Sequence, residues 1–202
     1  MHQEIIARFN SLKEKQLSID ITRGKPDTNQ LDLSNKLLDL SIPLVSENGI
    51  DLRNYGEPFG IIEARRLGSE LLNAPFENVI AGEQSSLLLT YQTILSNYLF
   101  AEPLAWKSLK KPKFICPVPG FDRHFKLLED FGIEAVPISL IEDGVDIQQF
   151  EEIINNGDDY LGILCVPRHS NPSGTTYSDE NIKKMFEICL LYTSDAADDF
   201  TS

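Results

Sequence analysis

An α/β fold with a mostly parallel sheet is predicted for this chain, on two observations. From residue 77 onward, short apolar runs alternate with longer amphipathic stretches, the pattern of strands feeding helices. One of those runs, Leu161–Val166, is apolar throughout, as a strand buried on both faces is. It stops at Pro167, which has no amide proton with which to continue a central strand. The chain then enters Ser170-Asn171-Pro172-Ser173-Gly174, built from residues that each favour turns for a different reason. Ligands of open α/β sheets sit beyond the carboxyl ends of the strands. The turn therefore puts the Asn171 amide where a ligand would lie, unless it is a plain surface turn.

Taken in order, residues 2 to 16 predict an amphipathic helix with Ile5, Ile6, Phe9 and Leu12 on one face. Ile21-Thr22-Arg23-Gly24-Lys25-Pro26-Asp27 is a polar loop; it is either a linker or a source of two cations, Arg23 and Lys25. Residues 31 to 45 are apolar but interrupted, and predict no clear element. Arg53 to Gly60 is rich in turn residues and leads into a helix at about 60 to 73. Asn78-Val79-Ile80-Ala81 predicts a short strand, Gly82 to Ser86 a loop, and Leu87 to Phe100 an apolar helix. A strand at 114 to 118 ends at Pro119-Gly120, before a helix carrying Phe121, Phe125, Leu128 and Phe131. Ile133 to Leu140 predicts the next strand. Asp146 and Gln149 then have the spacing of a capping box, and Ser178 is placed to cap a helix beginning at Asp179. No internal repeat or low-complexity segment is present.

Composition narrows the function classes. The chain has 202 residues, room for one large domain or two small ones, and 42% hydrophobic residues, enough for a core. A net charge of −13 argues against binding nucleic acid or an anionic membrane through bulk charge. No apolar run is long enough for a membrane span, and the first residues do not read as a secretory signal. Cys116, Cys165 and Cys189 fit neither a disulfide framework nor a metal-ligand pattern, and predict reduced thiols in a cytoplasmic protein.

Three loops run from a strand into a helix, and each offers a different group. Gly82 to Ser86 offers backbone amides and the Ser85 and Ser86 hydroxyls at a helix N-terminus, where a phosphate is favoured; simple capping by Ser85 is the alternative. Pro119 to Phe121 offers the Phe121 ring, to cover a flat cofactor or to pack in the core. The third offers Asn171, a donor toward an oxygen of that cofactor. Together they suit a flat, phosphorylated heteroaromatic such as pyridoxal phosphate. A dinucleotide fits less well, since no G-x-G-x-x-G follows a strand.

Several segments in the right order carry a resemblance that covers about residues 1 to 188. They are Thr22-Arg-Gly-Lys-Pro26, Tyr55-Gly56 with Gly60, Gly82-Glu-Gln-Ser-Ser86, Cys116 to Phe125, and Ser170 to Glu180. The chain resembles the fold-type I pyridoxal-phosphate enzymes and, within them, class I/II aminotransferases of the MocR-like or aspartate-aminotransferase-like branch. The resemblance implies a three-layer α/β/α major domain with a mostly parallel sheet, incomplete here, and an N-terminal helical segment. Its implied divisions are an N-terminal segment at 1–47 and a cofactor-binding major domain at 48–188, and residues 189–202 fall outside it as a tail. It implies that Gln84, Ser85 and Ser86 hold the phosphate of pyridoxal 5'-phosphate, that Phe121 stacks on the pyridine ring, and that Asn171 bonds the phenolic oxygen. Tyr55 would reach the phosphate in the neighbouring subunit of a homodimer, and Gly24 would line the substrate pocket. Arg168 and His169 depart from the residues expected just before the turn, which puts local substrate contacts in doubt.

The implied reaction moves an amino group between an amino acid and a 2-oxo acid. It needs a lysine that forms a Schiff base and shuttles a proton, an aspartate on the pyridine nitrogen, and an arginine on the substrate carboxylate. In the family all three lie beyond the Asn-Pro-Ser-Gly turn, so no catalytic residue is assigned and the chain by itself is expected to be inactive. Cys189 to Asp198 reads like the translation of a sequencing adapter, so 189–202 is expected to be a non-native tail; a natural helix end is the alternative. Other readings remain: a lyase or decarboxylase on the same cofactor site, a transcription regulator with an aminotransferase-like domain, or a non-catalytic nucleotide-binding domain.

Overall fold

The structure, a computed structural model, describes residues 2–20, 22, 24–157 and 159–199, with side chains described as far as Leu190. Arg23, one of the two candidate cations of the N-terminal loop, lies outside the described residues. The chain divides into two compact units, Met1–Ile80 and Ala81–Ser202.

The first unit is helical. Helix α1 (His2–Glu14) forms where its apolar spacing predicts, yet Ile5, Ile6, Phe9 and Leu12 are all exposed. Helix α2 (Thr28–Asp32) opens with a capping box: Asp27 accepts from the Asn29 amide, and the Gln30 side chain accepts from the Asp27 amide. A 3₁₀ turn follows at Asn35–Asp39, and then α3 (Ile62–Leu72), closed by Asn73 in the left-handed conformation. The strand expected at 78–81 does not form. A 3₁₀ turn occupies Phe76–Asn78, and the Val79 carbonyl accepts from Arg65 Nε at 2.8 Å instead of from a neighbouring strand. An apolar run becomes a strand only where a ladder partner runs beside it, and none does among the described residues.

The second unit holds the sheet. Helix α4 (Ser86–Phe100) precedes β1 (Lys113–Val118), α5 (Asp122–Asp130), β2 (Glu134–Ile141), β3 (Gly144–Val145), α6 (Ile147–Asn155), β4 (Tyr160–Ile163) and α7 (Asp179–Asp199). The strand order is β3-β2-β1-β4; β1 runs parallel to both β2 and β4, and only the short β3 is antiparallel. The predicted α/β class and mostly parallel sheet are therefore observed. The alternation along β1 makes three layers. Phe114 and Cys116 pack with Ile94 of α4 and Leu128 of α5, while Ile115 packs with Phe150 and Ile154 of α6 and Met185 of α7. Fully buried Leu128 and Ile138 each contribute about 1.5–3 kcal/mol through removal of apolar surface from water.

Two prolines inside strands fit this ladder. The Ile115 carbonyl accepts from the Leu164 amide on the β4 side, so the nitrogen of Pro117, two residues on, faces that side beyond the last β4 pair. Likewise the Glu134 amide donates toward the Pro112 carbonyl on the β1 side, which turns the Pro137 nitrogen away from β1. Neither missing donor falls where a ladder bond is needed.

Two expectations need correction. The strand expected over 161–166 spans only Tyr160–Ile163 and is half-buried rather than buried on both faces, because β4 is an edge strand among the described residues. Asp146 does cap α6, accepting from the Gln149 amide at 3.1 Å, but the return bond of a capping box is absent. The Asp146 amide already donates to the Ser139 carbonyl, which leaves the Gln149 side chain free to accept from the Ser139 amide at 2.8 Å. Ser178 caps α7 as predicted, through the Asn181 amide.

Candidate functional site

Because β1 and β4 are adjacent and parallel, their carboxyl ends lie side by side. The loop after β1 carries Gly120 and Phe121; the loop after β4 carries Cys165, Ser170 and Asn171. The two loops enclose a hollow of about 10 Å³ lined by Gly120, Phe121, His124, Cys165 and Ser170 among others. Gly120 is required there, since a Cβ would sit 2.6 Å from the Pro117 carbonyl oxygen and 3.1 Å from the Phe125 ring. Phe121 is half-buried at the N-terminus of α5 and meets the His124 ring edge-on, at 5.2 Å between centroids and 88° between planes.

The Asn171 turn is closed by the Ser170 amide donating to the Thr175 carbonyl at 2.8 Å, with Gly174 at φ +76°. Asn171 lies at its exposed tip, and its amide makes no side-chain hydrogen bond among the described residues.

At the start of α4, the Ser85 hydroxyl accepts from the Leu88 amide at 3.3 Å, so the capping alternative is realised. That bond uses one amide of the first turn. The N–H groups of Ser86 and Leu87 have no partner among the described residues, and Gln84, Ser85 and Ser86 are exposed. Glu83 directs the chain into this turn from a left-handed backbone, φ +44°, a conformation uncommon for a residue with a side chain. An open cleft of about 360 Å³ lies between α4 and α5, and Arg123 shares it with Ser85, over a floor of Leu88, Tyr91 and Leu127.

The first turn of α5 therefore joins two candidate regions: Arg123 faces the Ser85 cleft, and His124 packs on Phe121. Sequence reasoning missed Arg123, His124 and Ser170. Only His124 had a local signal, its place three residues after Phe121, which brings the two together where a helix starts. Tyr55 and Gly24 belong to the first unit; both are exposed, Tyr55 at 95%.

The electrostatics separate quiet groups from open ones. Burial lowers the pKa of His124, favouring the neutral imidazole, and raises the thiols of Cys165 and Cys116, the latter to about 11. Burial, and then the nearby Cys165, raise Tyr177, whose hydroxyl has no hydrogen-bond partner among the described residues. Lys126 is held cationic by Asp130 and Glu129, and Lys184 by Glu180, the opposite of what an amine nucleophile needs. Among the described residues no cluster of His, Cys, Asp and Glu could hold a metal ion, and no helix is long and apolar enough to cross a membrane.

The sequence profile of the family described as aspartate amino-transferase matches residues 1–201. A Mycolicibacterium smegmatis protein assigned as an aminotransferase is 41% identical over 187 residues, which cover 89% of this chain and 44% of that protein. The aspartate aminotransferase of Corynebacterium glutamicum is 39% identical, over 91% of this chain and 44% of its own length. A crystal structure of an aspartate transaminase from Corynebacterium glutamicum superposes with a TM-score of 0.80 at 38% identity, over 91% of this chain and 44% of that one. The chain thus spans less than half the length of the relatives it matches. On the profile, the identities and the shared fold, the chain belongs to the aspartate aminotransferase family.

Proposed function

We propose that this chain supplies the cofactor-cradling part of a pyridoxal-phosphate-dependent aminotransferase, acting on an amino acid, with aspartate the first donor to test, and a 2-oxo acid. The observation that carries this reading is the unused hydrogen-bonding capacity gathered at strand and helix ends. Two amides and two hydroxyls are open at the start of α4, Arg123 lies in the same cleft, and the Phe121 ring and a free Asn171 amide sit at the ends of β1 and β4. That donor set fits a phosphate, a flat ring and a phenolate oxygen.

When bound, pyridoxal phosphate supplies an electron sink for a carbanion at the substrate α-carbon. The residues of this chain bind and orient. The Ser86 and Leu87 amides, with the Gln84, Ser85 and Ser86 side chains, hold the phosphate against the helix dipole. Phe121 covers one face of the ring and keeps water from it, and Asn171 donates to the phenolic oxygen, favouring its anionic form. Gly24 lines the substrate pocket. Tyr55 reaches the phosphate of a second copy in a homodimer, a role suited to its exposure. The proton shuttle belongs to a lysine for which no residue here is assigned. The division into 1–47, 48–188 and 189–202, and a cytoplasmic location, belong to the same proposal.

Titration of the chain with pyridoxamine 5'-phosphate, which has no aldehyde to react with surface lysines, tests the site. The Ser85→Ala/Ser86→Ala double variant is expected to bind roughly tenfold more weakly, from loss of two hydroxyl contacts at about 0.5–1.5 kcal/mol each. A chain that ignores this ligand but binds ATP or NAD would be a nucleotide-binding domain, and the reading would be abandoned.

A further inference from the structure

We infer that His124 is a positioning residue of the cofactor site, holding the Phe121 ring at the tilt in which it covers the cofactor. This rests on the reading just proposed for Phe121 and adds a residue that reading does not contain.

Phe121 lies at the junction between β1 and α5, where the chain leaves the sheet, and its backbone is set by Gly120. Its side chain is half-buried, so the solvent side offers the ring nothing to hold it. The His124 imidazole packs against it, edge-on at 5.2 Å and 88°, within the preferred range for aromatic pairs. His124 is itself held. It stands in the first turn of α5, its amide donating to the Phe121 carbonyl at 3.1 Å, and Phe125, Cys165 and Ser170 close the hollow beside it. That hollow, at about 10 Å³, has room for little more than one water, so the imidazole cannot swing into it. The order of constraint runs from sheet to α5, from α5 to His124, and from His124 to Phe121. A ring held in this way covers a flat ligand without first losing rotamer freedom.

Two measurements on the full chain test this. In the ligand-free protein, the ring resonances of Phe121 are expected to carry the ring-current shift of His124. That shift should collapse in His124→Ala and return in His124→Phe, which restores an aromatic edge. In titrations, His124→Ala is expected to bind pyridoxamine 5'-phosphate about three- to tenfold more weakly, with reduced induced circular dichroism of the bound ring. Its affinity for inorganic phosphate should be unchanged, and His124→Phe should restore both ring readouts. If His124→Ala does not fold, His124→Gln, which keeps a helix-compatible side chain without a ring, decides the same point. A Phe121 ring equally ordered in the ringless variant, or equal affinity and dichroism, overturns the inference and leaves the cofactor reading standing. Absence of pyridoxamine phosphate binding by the wild-type chain overturns both.

Discussion

At the scale of single residues, the candidate site is made of side chains that carry a structural load and keep capacity in reserve. Ser85 caps α4 with one lone pair and remains exposed. His124 braces a ring and is kept neutral by burial, which gives it a pH signature with a definite sign. Its pKa in the folded chain lies below the ordinary 6.5, so the unfolded chain takes up the proton first as pH falls. Folding stability should therefore fall as pH drops below about 6.5, and the His124 share of the loss should be complete once pH passes the lowered native value. Urea midpoints measured at about pH 7.5 and about pH 5.5 are expected to fall less in His124→Phe than in the wild type. An equal fall in both proteins would place the effect elsewhere. The loop positions of Ser85, Phe121 and Asn171 were legible beforehand, from the residue types around them. Arg123 and Ser170 were not, because their neighbours are fixed by helix and strand packing rather than by sequence spacing.

At the scale of elements, apolar patterning located α1, α3, α4, α5 and the strands β1 and β2, and the capping residues Asp146 and Ser178 located the starts of α6 and α7, each a local signal that its own residues satisfy. It failed where an element depends on a distant partner. Residues 78–81 had the composition of a strand but no neighbour to pair with among the described residues, and β3, only two residues long, has no period to read. What stabilises β3 lies on α7. The buried Asn181 side chain accepts from the Val145 amide at 3.2 Å and donates to the Val145 carbonyl at 2.8 Å, taking the place of a neighbouring strand. Asn181→Leu removes both bonds and leaves two buried backbone groups unsatisfied, an expected loss of about 2–4 kcal/mol measured by chemical unfolding. A loss below about 0.5 kcal/mol would show that water replaces the amide. Gly144→Ala tests the same contact from the other side, for its Cβ would meet Asn181 in a backbone at φ +143°.

Over the whole molecule, the two units differ in what they bury. Every residue of the core of the second unit is accounted for by two clusters, one on each face of the sheet. The first unit leaves Leu33, Leu37, Leu38, Leu40 and Ile42 exposed as well as the apolar face of α1, a surface of the kind that covers other protein. The order β3-β2-β1-β4 has a further consequence, which concerns time. The first strand made is an inner one, and its earliest parallel partner is reached through α5 alone, so Lys113 to Ile141 closes the shorter of the two loops that pair parallel strands. β4 joins only after β3 and α6 have been laid down, and on its far side nothing described shields it. Amide exchange should therefore be slowest where β1 faces β2 and distinctly faster along β4. Equal protection in all three would mean that the sheet opens as one unit. Unequal protection would mean that the loop bearing Asn171 hangs from the last strand to arrive and the first to let go, while Phe121 and His124 stay anchored to the strand that waits for it.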